Sequence, residues 1–356
     1  MKRLILTITL IALALAAQAE VGKPAARKGA YLGAKDTVYP AWFKESFLDL
    51  REDLAEARKD GKRVMLLFTQ DNCPYCNLLV ERNLAQRDIE ATLKARFDVI
   101  ALNLWGDREV KGLDGQTYTE KTFGAAHKVQ FTPTLMFFDE TGKTLLRLNG
   151  YVPPTRFKAA LDWVAGREEG RIAFRDFVAA RESGATKGEL IAEPWFARPD
   201  ALKRPGQRPL ALFFEQRDCP DCATLHRRVL ADPEIRALLG RFDAVQLDMW
   251  ARDPAPGLDG HPIAPRELAR ALDVKYAPGI ILFDATGREV IRWESGFRVF
   301  HTAGMLDYVI SGAHRTEPNF QRYLSARGDH LREAGRDVDY TGPTFHVTAS
   351  PVPQPP

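Results

Sequence analysis

Leu-Phe-Thr-Gln-Asp-Asn-Cys-Pro-Tyr-Cys, residues 67–76, and Phe-Phe-Glu-Gln-Arg-Asp-Cys-Pro-Asp-Cys, residues 213–222, decide how this chain reads. Each stretch ends a short apolar run, as expected of a β-strand, with Cys-Pro-x-Cys. The two copies use every cysteine: Cys73, Cys76, Cys219 and Cys222. A strand that runs straight into a helix puts the first cysteine in the opening turn, where unpaired N–H groups and the helix dipole favour a thiolate. Pro74 and Pro220 suit that turn, because the first helical N–H has no partner inside the helix. The placement points to dithiol redox chemistry.

Working outward, the sequence repeats itself at a period of about 145 residues, a whole-domain duplication. Arg-Phe-Asp-Val around Phe97 matches Arg-Phe-Asp-Ala around Phe242, Trp105 matches Trp250, and Pro133 matches Pro278. Leu113-Asp114-Gly115 matches Leu258-Asp259-Gly260, and Phe138-Asp139-x-Thr-Gly142 matches Phe283-Asp284-x-Thr-Gly287. Within a copy, Phe47, Leu50, Leu54 and Ala57 predict a helix face, and Val64–Phe68 a strand. A helix through about Asn83 follows, then one over Ile89–Arg96 capped by Asp88, and a strand at Val99–Leu104. Glu120–His127 reads as a short helix, Thr134–Phe138 and Thr144–Leu148 as a hairpin, and Arg156–Ala165 as a closing helix. The second copy repeats these strands near Leu210, Ala244, Ile280 and Val290, with a closing helix over Thr302–Ile310. The fold class is α/β: two tandem domains, each a mixed sheet covered by helices on both faces.

Met1-Lys2-Arg3, the apolar run Leu4–Ala17 and Ala17-Gln18-Ala19 have the form of a secretory signal peptide. The run is shorter than the roughly 20 residues a spanning helix needs, so no stable membrane insertion is expected after cleavage. The expected location is the periplasm, an oxidising compartment. A net charge of +3 with dispersed basic residues argues against a nucleic-acid partner. The chain divides into signal peptide 1–19, N-terminal extension 20–40, first domain 41–168, linker 169–193, second domain 194–314, helical extension 315–339 and a disordered tail 340–356.

A strand, Cys-Pro-x-Cys, a helix, and an x-Pro before a strand about 60 residues on resembles thioredoxin-like domains, here twice. The local wording is similar to secreted bacterial thioredoxin-like proteins, including those associated with periplasmic sulfur oxidation. The resemblance implies that Cys73 and Cys219 attack and that Cys76 and Cys222 resolve. It also implies cis peptide bonds at Thr132-Pro133 and Ala277-Pro278, beside the cysteines, where backbone groups would bind an extended substrate. One departure stands out: thioredoxins carry a buried aspartate six residues before the first cysteine, where this chain has Leu67 and Phe213.

The residues between the cysteines tune each site. Tyr75 is uncharged, whereas Asp221 adds a carboxylate expected to raise the thiol pKa, offset in part by Arg217, Arg227 and Arg228. The second site is therefore expected to be the more reducing, passing electrons toward the first. The overall expectation is a thiol-disulfide oxidoreductase, preferentially a reductase. Its substrates would be disulfide-containing proteins or small thiols, its electrons would come from an inner-membrane donor, and it would need no cofactor or metal. Net oxidation or isomerisation, and a binding or chaperone module with structural disulfides, are the alternatives. A single zinc held by both pairs would require the two active faces to meet. Covalent haem is excluded, since Asn77 and Ala223 stand where histidine is needed. His226 reads as a solvated or capping histidine, Trp105 and Trp250 as packing residues, and Asp98 and Asp243 as residues at strand entrances.

Overall fold

The computed structural model describes residues 27–181, 188–294 and 298–340. The expected signal peptide and all but Tyr340 of the expected tail lie outside the described residues.

Two four-stranded sheets carry the fold. In the first, β1 (Arg63–Thr69) pairs in parallel with β2 (Phe97–Asn103) and antiparallel with β3 (Thr134–Phe138), which pairs antiparallel with β4 (Thr144–Asn149). The second repeats this order with β5 (Leu210–Glu215), β6 (Asp243–Asp248), β7 (Gly279–Phe283) and β8 (Glu289–Trp293). Even the irregularity repeats: the hairpin register shifts at Phe137/Phe138 and again at Leu282/Phe283. Every residue of β1 and of β5 is buried, because helices cover both faces. Met65, Leu67 and Phe137 pack on the face that carries Cys73 and Cys76, and Leu66, Phe68 and Ile100 on the other.

The helices are α1 (Leu50–Lys59), α2 (Pro74–Leu78), α3 (Arg87–Arg96), α4 (Glu120–Ala126), α5 (Pro154–Ala165) and α6 (Phe174–Ala179), then α7 (Pro220–Leu225), α8 (Pro233–Leu239), α9 (Pro265–Ala271), α10 (Val299–Ile310) and α11 (Phe320–Glu333). Two sequence expectations need correcting. Phe47 lies outside α1 and is fully exposed, because Asp49 accepts the N–H groups of Arg51 and Glu52 and starts the helix there. Helix α3 begins two residues earlier than Asp88 would set, after Gln86. The helix after each Cys-Pro-x-Cys also loosens midway, with wider π turns at Leu79–Leu84 and at His226–Leu230.

The duplication reaches beyond the sheet domains. In the first copy α5 is followed by α6, whose Phe174 packs on Trp163 at 5.6 Å; in the second α10 is followed by α11, whose Phe320 packs on Tyr308 at 5.4 Å. The helix within the linker and the C-terminal helix are thus the same element, six residues long in one copy and fourteen in the other. Tyr31–Leu32 of the N-terminal arm pairs with Val338–Asp339 alongside α11. Tyr31 lies so close to Gly328 that a Cβ there would meet its hydroxyl at 2.7 Å.

Candidate active sites

Both cysteine pairs are closed as disulfides, Cys73–Cys76 and Cys219–Cys222. The first cysteine of each is the N-cap of its helix: the Cys73 sulfur accepts the Cys76 N–H at 3.1 Å, and the Cys219 sulfur the Cys222 N–H at 3.0 Å. The residues just before, Asn72 and Asp218, take the left-handed conformation with φ of 54° and 48°, which Asn and Asp tolerate best. Thr132-Pro133 and Ala277-Pro278 are cis. Thr132 faces the first site, its hydroxyl 3.5 Å and its carbonyl oxygen 3.7 Å from the Cys73 sulfur. All four of these loop residues are buried.

The two sites do not face solvent independently. Each domain's closing helix reaches the other domain's Cys-Pro-x-Cys through equivalent residues. Arg156 on α5 lies 3.6 Å from Asp221, donates to the Ala277 carbonyl at 3.0 Å and sits 4.7 Å over the Tyr276 ring. His301 on α10 packs edge-on against Tyr75 at 5.2 Å, and Arg298 lies 4.5 Å over the same ring. Burial pushes the Tyr75 hydroxyl above its usual range, with Arg298 opposing. Burial, then Arg298, pushes His301 down to about 3, so its imidazole is neutral. Beside the sites, Phe131 inserts into the second domain's core against Trp293 at 4.6 Å, while Tyr276 joins the first domain's core. Further out, Arg175 stacks on Trp250 at 5.0 Å and Arg322 on Trp105 at 5.5 Å.

The symmetry is broken where α11 outgrows α6. Over the first site α11 lays Gln321 against Gln70 at 3.2 Å and against the Gln130 carbonyl at 2.9 Å. Cys73 is left 1% exposed and Cys76 0%, at the wall of a cavity of about 450 Å³. In the second site Cys222 is buried, but Cys219 is half-buried and Pro220 exposed.

The sequence profile of the thioredoxin-like domain matches residues 50–165 and again 200–310. This chain belongs to the thioredoxin-like family. Among solved structures it is similar to a thioredoxin-fold protein from Helicobacter pylori, at 23% identity over 34% of this chain and 80% of that one, TM-score 0.30. A thioredoxin from Thermus thermophilus aligns at 24% identity over 40% and 95%, TM-score 0.27. The reduced C-terminal domain of DsbD from Neisseria meningitidis aligns at 16% over 32% and 91%, TM-score 0.25. No curated protein matches the chain.

In this thioredoxin-like chain the second domain carries a feature that sequence reading missed. His226, expected to be solvated or to cap a helix, is instead buried between two carboxylates, Glu215 at 3.0 Å and Glu193 at 3.1 Å. Gln246 also donates to Glu215, which has no exposed surface. Burial opposes the imidazolium, but Glu215 and then Glu193 outweigh it and hold His226 above its ordinary value. The first domain has Thr69 and Val80 where the second has Glu215 and His226, and that contrast between aligned copies was the available signal. Trp105 and Trp250 donate equivalently to Gln70 at 3.3 Å and Gln216 at 3.0 Å. Asp98 pairs with Lys44 and Lys62, and Asp243 with Arg204 and Arg208. Of the arginines expected to offset Asp221, Arg217 pairs with Asp248 instead, and Arg156 of the other domain takes that role. The active faces do meet, but among the described residues no group of three or more His, Cys, Asp or Glu could hold a metal ion. Among them, too, no helix is long and apolar enough to cross a membrane.

Proposed function

We propose that this thioredoxin-like chain is a periplasmic thiol-disulfide oxidoreductase that works mainly in the reducing direction on disulfide-containing proteins or small thiol compounds, drawing electrons from an inner-membrane donor. The observation that carries the reading is the first cysteine's position, twice over. Its sulfur caps a helix and accepts the N–H of the resolving cysteine, so a thiolate there meets a donor and the positive end of the helix. In the reduced form that thiolate attacks a substrate disulfide, forming a mixed disulfide and releasing one substrate thiol. The resolving cysteine then attacks the first cysteine's sulfur, closes the protein disulfide and releases the second substrate thiol. Protons lost by the two protein thiols end on the substrate. Location and donor rest on the amino-terminal sequence pattern and on the need for reducing power in an oxidising compartment.

Disulfide reduction with an excess of dithiol tests this: the wild type should turn over, and Cys73→Ser plus Cys219→Ser should abolish turnover. A double variant as active as wild type removes the reading. One observation favours a structural disulfide at the first site alone, the burial of Cys73 and Cys76. It is answered by the cavity against Cys73.

A further inference from the structure

The first site's surroundings select by size. Thr132, whose carbonyl an extended peptide would pair with, lies inside the cavity with Cys73. Trp293 and His301 of the second domain wall it, and α11 with Gln321 roofs it. The roof is fastened at the first turn of α11, where the Gln130 side-chain oxygen accepts the Phe320 N–H at 2.8 Å and the Gln130 carbonyl accepts from the Gln321 side chain. A polypeptide strand needs an open sheet or loop edge along which to lie. A space of about 450 Å³ instead matches the range of small-molecule sites. Among the lining residues His301 is 7% exposed, and its buried Nδ1 has no hydrogen-bond partner. Such a group is costly to leave unpaired and suits a polar ligand. The charged lining residues Asp71 and Asp329 are exposed at the mouth, where Asn103 reaches Asp71 and Tyr31 and Arg332 hold Asp329. At the second site Cys219 is half-buried and Pro220 exposed.

We propose that the Cys73–Cys76 site exchanges with low-molecular-weight thiols and disulfides of amino-acid to tripeptide size, bound in this cavity against His301, and excludes polypeptide thiols, which are left to Cys219–Cys222. The proposal rests on the redox reading above and assigns a different substrate class to each site. With the disulfide present here, a small thiol RSH gives up its proton and attacks the Cys73 sulfur. The Cys73–Cys76 bond breaks, R–S–S–Cys73 forms, and the electron pair and a proton go to Cys76. A second RSH attacks the R-group sulfur of that mixed disulfide; RSSR leaves, and Cys73 keeps the pair and a proton. Two thiols are oxidised, one disulfide is reduced, and every step reverses.

The test uses the oxidised wild-type chain, so no variant has to fold. It is mixed with free cysteine or with a reduced, unfolded polypeptide at equal thiol concentration, and each cysteine pair is followed by quenched alkylation and peptide mass analysis. Cysteine should open Cys73–Cys76 at least tenfold faster than the polypeptide does, with the difference at Cys219–Cys222 under threefold. Equal rates of the two thiols at Cys73–Cys76 overturn the size selection and leave the redox reading standing. No opening by either thiol at either pair overturns both. A His301→Leu variant should raise the half-saturating concentration of cysteine about fivefold with the limiting rate unchanged, as loss of one hydrogen bond predicts, and His301→Gln should restore it. Saturation of the Leu variant at the wild-type concentration overturns the contact.

Discussion

The side-chain amide of Asn149 donates to Glu294 at 3.1 Å, and these residues hold the same place in the two repeats, 145 positions apart. Equivalent residues touch one another only on a two-fold axis. The tandem domains therefore meet through a self-complementary interface of the kind usually found between identical subunits. Phe131 with Tyr276, Arg156 with His301 and Arg175 with Arg322 are arranged about the same axis. Cys-Pro-x-Cys faces that would otherwise meet solvent are turned inward.

Because Phe131 and Tyr276 each sit in the other domain's core, the domains should unfold together. Calorimetry of the wild type should show one transition. Phe131→Ala, which empties a site between Trp293 and Phe320, should cost about 3–5 kcal/mol and split it into two. A single unshifted transition in the variant would mean that the interface contributes nothing to stability.

Glu294 is buried at that interface, with Lys275 at 3.2 Å, and burial on both sides makes each dependent on the other. Lys275→Met strands the carboxylate and should destabilise by about 3–5 kcal/mol in urea unfolding. Adding Glu294→Leu should recover at least half of the loss. A double variant weaker than the single one contradicts the pairing.

The Glu215–His226–Glu193 cluster gives the second domain a pH signature. His226 is held above its ordinary 6.5, so it binds its proton more tightly folded than unfolded. Its stabilisation is complete below about pH 6.5 and is lost as pH rises through the raised folded value. His226→Leu removes the charge partner of the fully buried Glu215 and should cost about 3–5 kcal/mol near pH 6. The gap to wild type should narrow as unfolding is repeated toward pH 9; a gap that widens with pH has the wrong sign.

Arg156 sets the field at a cysteine pair in the other domain. Arg156→Gln removes the guanidinium 3.6 Å from Asp221, and a carboxylate charge about 7 Å from a thiolate costs on the order of 0.6–2.4 kcal/mol. The Cys219 thiol pKa should rise by roughly half to nearly two units, and the second site should become more reducing. Alkylation rates against pH and a thiol-disulfide equilibration would measure both. A lowered thiol pKa would exclude this role for Arg156.

Much of the domain architecture could be read directly, because it is encoded locally. The apolar runs of the two all-buried strands, the Thr134–Phe138 hairpin and the closing helices follow from pattern and turn residues close in sequence. Helix starts were less legible: Asp49 and Gln86, rather than the apolar face at Phe47 or the cap at Asp88, fix where α1 and α3 begin. His226 was misread for a different reason. Its two carboxylate partners lie 11 and 33 residues away, and only the packing of β5 and the segment before Trp195 brings them to one imidazole.

Each domain and its sulfur chemistry are written locally: strand, N-capping cysteine, helix and the proline loop are short-range features, and duplication states them twice. Where those sulfurs point is set by the packing of one repeat against the other. The contacts of Arg156 with Asp221 and of His301 with Tyr75 join residues from separate domains, and no local propensity records them. The longer α11 then encloses one site and leaves the other half-open. Access to a disulfide is a property of the surfaces packed around it, and here those surfaces come from the opposite repeat.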